Sequence, residues 1–88
     1  MGLDVRSAQA FREGHIPGAA NVSIDQLEKV ADAIPAEPKI VVYGAGGPED
    51  QSIEAAAKLA DLGRDGVYSL VGGVRAWEKA GLPLAAGR

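Results

Sequence analysis

The chain of 88 residues contains no cysteine. That absence removes disulfides, thiolate metal ligands and a cysteine nucleophile together. A single histidine, His15, excludes a cluster of imidazole ligands. Aromatic residues make up only 5% of the sequence, so the core must be built mainly from aliphatic side chains. Nine Lys and Arg stand against twelve Asp and Glu with no basic cluster. Neither the electrostatic footprint of a nucleic-acid binder nor an attraction to anionic membranes is therefore present. The longest apolar runs span a few residues, and Met1-Gly-Leu-Asp-Val-Arg6 has no charged segment leading into an apolar one. No signal peptide or membrane span is expected, and a cytoplasmic address is the default.

What is present describes an ordinary soluble domain. A hydrophobic fraction of 47% and a charged fraction of 24% argue against disorder. Residues 1–88 are expected to form one domain, and a chain this short buries only about 60 to 65% of its unfolded surface. Twelve glycines imply several tight turns.

Leu3-Asp-Val5 is a short strand candidate, followed by a helix from Ser7, its cap, to Glu13, with Gly14 as a left-handed stop. His15-Ile-Pro-Gly18 reads as a turn and Ala20-Asn-Val22 as a short strand. Ser23 and Gln26 have capping-box spacing, and Ile24, Leu27, Val30, Ala31 and Ile34 recur at helical intervals until Pro35. Ile40-Val-Val-Tyr43 is β-branched and apolar on consecutive positions, which suits a central strand covered on both faces. A helix over 52–62 follows, with Ala55, Ala56, Leu59 and Leu62 inward and Gly63 as stop. Val67–Val71 reads as a strand, Gly72-Gly73 as a turn, and Val74–Ala80 as a last helix ended by Gly81 and Pro83. Leu84–Arg88 reads as a frayed tail. Strand and helix alternate, so the expected fold class is α/β, a three-layer α/β/α sandwich on a mainly parallel sheet.

In such a sheet, ligands sit beyond the carboxyl ends of the strands. Gly44-Ala-Gly-Gly-Pro-Glu-Asp-Gln51 occupies that place. Its three glycines allow amides to converge on an anion. Two features oppose a phosphate loop. The Gly-Lys-Ser/Thr ending and the third glycine of a dinucleotide fingerprint are both missing. The loop has no Lys or Arg either, while Glu49, Asp50 and Glu54 bring carboxylates to the helix start, where the macrodipole favours them. The protein's own carboxylates are expected to take the anion seat, leaving room at most for a neutral or cationic group. The alternative, a turn and helix cap with no binding role, is equally compatible with these residues.

The order and spacing of Leu3-Asp-Val-Arg-Ser7, Gly14-His-Ile-Pro-Gly-Ala19, Ile40-Val-Val-Tyr43, Ala55-Ala-Ala-Lys-Leu59, Gly72-Gly-Val-Arg-Ala-Trp77 and Gly81-Leu-Pro83 resemble a single-domain rhodanese nearly end to end. The resemblance implies sulfur transfer. In that family a cysteine directly after the central strand becomes a persulfide, held by a loop of backbone amides and commonly an arginine. Here Gly44 stands at that position. The loop is about two residues longer than the common form, and the second cysteine of some longer-loop relatives corresponds to Glu49. Neither Gly nor Glu can form a persulfide. The phosphatases of this fold also need a loop cysteine and an arginine. The resemblance further implies that Asp4 and Arg6 organise neighbouring loops, as an ion pair or by holding carbonyls. Relatives usually carry a strand and helix ahead of the Leu-Asp-Val-Arg strand, so the domain is read as N-terminally shortened, with a sheet edge or apolar surface open to self-association.

The remaining candidates have modest expectations. His15 is expected to hydrogen-bond backbone or to pack partly buried rather than act as a base. Trp77 and Tyr68 are expected in core or half-buried packing. Lys58, Arg64, Arg75 and Lys79 read as surface charges. Glu49 and Asp50 lack the further ligands of a metal site, so no metal and no cofactor is expected. The expected function is a non-catalytic rhodanese-homology module that binds a protein or small ligand, or regulates, through residues 44–51. The alternative is a sulfurtransferase whose cysteine is lost or changed in this chain.

Overall fold

The computed structural model describes residues 2–33, 39–47 and 50–87. Ile34 and Pro35 of the expected second helix, and Pro48 and Glu49 of the glycine loop, lie outside the described residues. Four strands, β1 (Gly2–Asp4), β2 (Ala20–Asn21), β3 (Ile40–Tyr43) and β4 (Val67–Ser69), form one sheet in the order β2-β1-β3-β4. Every pairing is parallel. Helices α1 (Ala8–Glu13), α2 (Leu27–Val30), α3 (Ser52–Asp61) and α4 (Gly73–Lys79) provide the connections and the outer layers. This is the α/β architecture that the alternation of elements predicts.

The register explains which residues form the core. Leu3 pairs with Val42 and Ile40 with Val67, so these side chains share one face of the sheet. That face buries Leu3, Val5, Ile40 and Val42 against Leu27 of α2 and Ala55 and Leu59 of α3. Complete burial of one such aliphatic side chain contributes about 1.5–3 kcal/mol. The opposite face carries Gly2, Val41 and Tyr43, and it is less fully covered. An apolar hollow of about 330 Å³ lies over it, walled by Val41, Tyr43, Ile16, Leu70 and Trp77. Double coverage of the central strand is therefore uneven.

Several local expectations hold. The Ser7 hydroxyl accepts the Ala10 N–H and caps α1. Pro17 and Gly18 take the middle of a turn closed by the Ala19 N–H to the Ile16 carbonyl, and the φ of 85° at Gly18 is one that a type II turn requires. Gly63 ends α3 with a φ of 86°.

Others are corrected. Gly14 is extended, with φ 172°, and is not a left-handed stop. Its small size matters instead, because a Cβ there would sit 3.1 Å from Leu84. The Ser23 side chain makes no capping bond, and the second helix begins as a 3-10 turn over Ile24–Gln26, runs as one α-helical turn, and reverts to 3-10 over Ala31–Ala33. Leu62 falls beyond α3 and is 41% exposed, and Tyr68 is 54% exposed rather than half-buried. Among the described residues the tail is tied down: Ala85 exchanges two backbone hydrogen bonds with His15, and the Gly87 N–H donates to the Arg12 carbonyl.

Candidate functional site

The site is assembled at the carboxyl ends of β1 and β3, where three segments meet. From β1 comes the pair Asp4 and Arg6. The Asp4 carboxylate is fully buried and receives the Arg6 backbone N–H at 2.9 Å, the guanidinium Nε at 3.0 Å and Nη2 at 2.6 Å. Nη2 also donates to the Gly14 carbonyl at 2.7 Å. The hydrogen bonds to Asp4 push the Arg6 guanidinium above even its ordinary high value. Asn21 completes the knot by donating to the Asp4 and Arg6 carbonyls. Both roles expected of this pair, ion pairing and holding carbonyls, are realised geometrically.

Tyr43 ends β3 and is fully buried, and its hydroxyl accepts the Ile16 N–H at 3.1 Å. Burial pushes its phenol well above the ordinary tyrosine range, against the opposing effect of that N–H. His15 is buried beneath the same turn. Its Nδ1 lies 2.7 Å from the Phe11 carbonyl, and its ring stacks on Phe11 with centroids 3.7 Å apart. The ring is held by α1 and works as packing.

The glycine loop and α4 form the third segment. The Gly44 and Ala45 carbonyls accept the N–H groups of Val74 and Arg75, so the loop caps the start of α4 with its own backbone. That contact demands glycine on both sides. A Cβ on Gly46 would run into the Gly72 carbonyl, and one on Gly73 into the Gly44 carbonyl. With those carbonyls turned towards α4, the backbone N–H groups of Ala45, Gly46 and Gly47 have no partner among the described residues.

Asp50 sits where the first side chain of the loop would go. Its Oδ1 accepts the Ser52 N–H at 2.8 Å, capping α3. The same oxygen is 2.7 Å from the position of a Cβ on Gly44. The expectation that a carboxylate of the chain takes the anion seat at this helix start is met by Asp50; Gln51 makes no side-chain cap.

One residue was missed by the sequence reading. Arg75, taken as a surface charge, reaches back from α4 over the loop, with Nη1 2.7 Å from the position of a Cβ on Gly47. Together with Arg6, Ser7, Ala45, Gly46 and Gln51 it lines a hollow of about 330 Å³. The available signal was its place two residues after the Gly72-Gly73 pair, which the loop grips.

Comparison with known proteins agrees with this layout. The family model for the rhodanese-like domain matches residues 2–80. The chain is 35% identical over 82 residues to thiosulfate sulfurtransferase GlpE of Actinobacillus succinogenes, covering 93% of this chain and 72% of that protein. It is 36% identical over 96 residues to thiosulfate sulfurtransferase 16, chloroplastic, of Arabidopsis thaliana, covering 96% and 78%. The crystal structure of the rhodanese-like domain of the Alr3790 protein from Anabaena sp superposes with a TM-score of 0.86 at 34% identity, covering all of this chain and 93% of that one. No helix among the described residues is long and apolar enough to cross a membrane. The parallel sheet, the Asp4 and Arg6 knot and a loop gripping the final helix thus meet in a chain that belongs to the rhodanese family and has no cysteine to place in that loop.

Proposed function

We propose that this chain is a non-catalytic rhodanese-homology module, with a binding or regulatory role exerted through the loop of residues 44–51. The observation that carries this reading is the position of Asp50. Persulfide chemistry needs a thiolate at the mouth of β3. There the backbone is Gly44, and the Asp50 carboxylate lies 2.7 Å from where its side chain would start, committed to the Ser52 N–H. The place where that side chain would start is crowded by a carboxylate, which cannot form a persulfide. Relatives named thiosulfate sulfurtransferases suggest sulfur transfer as the ancestral activity, and the retained hollow beside Arg6 and Arg75 supports binding as the remaining one.

The test is incubation of the purified chain with thiosulfate and cyanide. Thiocyanate should form no faster than without protein, and intact-mass spectrometry should show no gain of a sulfur atom. Turnover, or a sulfur adduct that an acceptor removes, would refute the proposal.

A further inference from the structure

We propose that the outer edge of β4 is a self-association surface, on which a second copy of this chain pairs antiparallel through Val67–Ser69 and continues the sheet. The surface is independent of any sulfur chemistry at residues 44–51, and its partner is the chain itself.

Backbone polarity defines the occupant. β4 ends the strand order β2-β1-β3-β4, so it has a neighbour on one side only. The Ile40 N–H donates to the Gly66 carbonyl and the Leu70 N–H to the Val42 carbonyl, which turns these groups of Gly66 and Leu70 towards β3. Alternation along a strand gives Tyr68 the same orientation and points the N–H and C=O of Val67 and Ser69 outward. Those outward groups have no partner among the described residues. The strand also lacks the usual guards of an edge, since Val67–Ser69 contains no lysine, no proline and no charge. Another extended backbone is what satisfies such a row.

Symmetry selects a second copy. About a two-fold axis through Tyr68, Val67 of each chain faces the partner's Ser69, and each such pair exchanges two backbone bonds, about four in all. Tyr68 then stands opposite the partner's Tyr68 at a non-hydrogen-bonded position, where side chains approach closest and an aromatic pair stabilises the junction. In the single chain that ring is 54% exposed. Tyr68 is the register partner of Val41, so it lies on the sheet face that the chain covers less fully. Ile53 of α3 and Val71, 70% and 86% exposed, line a small hollow with Ser69 beside the same edge. Charges do not forbid the pairing. In this register Asp65 comes nearest the partner's Val71, and Lys39 places its Nζ 5.6 Å from the centroid of its own Tyr68 ring. The net charge of −3 on each chain opposes association weakly at physiological salt, where it is screened over about 8 Å. An edge this short makes a weak, reversible pair.

The experiment is sedimentation equilibrium of the intact chain from about 10 µM to about 1 mM at about 0.15 M salt, with amide hydrogen exchange measured over the same range. The apparent mass should rise from one chain towards two, and the Val67 and Ser69 amides should exchange more slowly as concentration rises. The Tyr68 and Leu70 amides, which face β3, should change less. Ser69→Pro removes one outward N–H and no bond within the sheet, a substitution that edge strands accept. Tyr68→Lys sets two ammonium groups opposite one another. Each should raise the dissociation constant about tenfold or more, and unchanged amide shifts in β1 and α3 would verify folding. A chain that stays monomeric up to about 1 mM would overturn the proposal and leave the edge to a strand of a different protein. Association with unaltered exchange at Val67 and Ser69, or undiminished in both variants, would place the contact elsewhere and overturn it equally. Thiocyanate formation is read separately, so turnover would sink the non-catalytic reading without deciding how β4 pairs.

Discussion

Gly44 and Gly73 show how differently glycine can be required within one contact. At Gly44 the backbone is not left-handed, and the nearest obstacle to a side chain is the Asp50 oxygen at 2.7 Å, with the Gln51 backbone nitrogen next at 3.3 Å. Gly44→Cys should therefore fold, with a thiol pressed against a carboxylate that raises its pKa and keeps it protonated. The single variant should show little or no sulfur transfer, whereas Gly44→Cys with Asp50→Ser should take up sulfur from thiosulfate measurably faster. Equal rates for the two would show that Asp50 is not the obstacle. Gly73 is required by backbone contact, since a Cβ would meet the Gly44 carbonyl. Gly73→Ala should cost about 2 kcal/mol or more through overpacking. Gly63→Ala is the control: it has φ 86° with nothing within 4 Å, so it should cost only the conformational strain of about 1 kcal/mol. Urea midpoints of the two variants should separate accordingly. Glycine-glycine pairs are visible in a sequence as turns, but which carbonyl they face is not. For the same reason the sequence revealed the absence of a nucleophile at position 44 and hid Arg75, whose neighbour in space is some thirty residues earlier.

The elements were legible where a local signal and burial agreed, and illegible where only packing decides. β3 is a run of β-branched residues between breakers, and with β1 it is one of the two strands that have neighbours on both sides. α3 shows its buried positions at Ala55 and Leu59, and its stop at Gly63. The second helix had a good periodic stripe, yet it is split between 3-10 and α geometry, because the capping spacing of Ser23 and Gln26 is met by a backbone bond, from the Gln26 N–H to the Ser23 carbonyl, and not by the side chain. The start of α3 gives the prediction that belongs to this scale. Asp50→Ala removes the acceptor of the Ser52 N–H and should destabilise the chain by about 1 kcal/mol, while Asp50→Asn keeps an acceptor and should lose a few tenths. Chemical denaturation of the two variants would check this, and an equal loss from Asn would point to the charge rather than the cap.

At the scale of the whole molecule, the connections between distant segments run through a few polar groups that the sequence could only suggest. Asp4 and Arg6 tie β1 to the end of α1, Ala85 ties the tail to His15, and the Tyr43 hydroxyl ties β3 to the turn at Ile16. The burial of that hydroxyl makes stability depend on alkaline pH. Tyr43 is buried, and its folded-state pKa is raised above the ordinary value of about 10. The unfolded chain therefore releases this proton at lower pH than the folded one does. The contribution is fully present below about pH 10, and it is lost as pH rises towards the folded value, by up to about 1.4 kcal/mol per pH unit. Tyr43→Phe leaves the Ile16 N–H unpaired and should cost about 1 kcal/mol at neutral pH. Having no proton to lose, the variant should decline less steeply above about pH 10, so the two stability curves should converge. Parallel curves from urea titrations across that range would mean that Tyr43 ionises in the folded state as it does in the unfolded one, and that burial does not hold its proton.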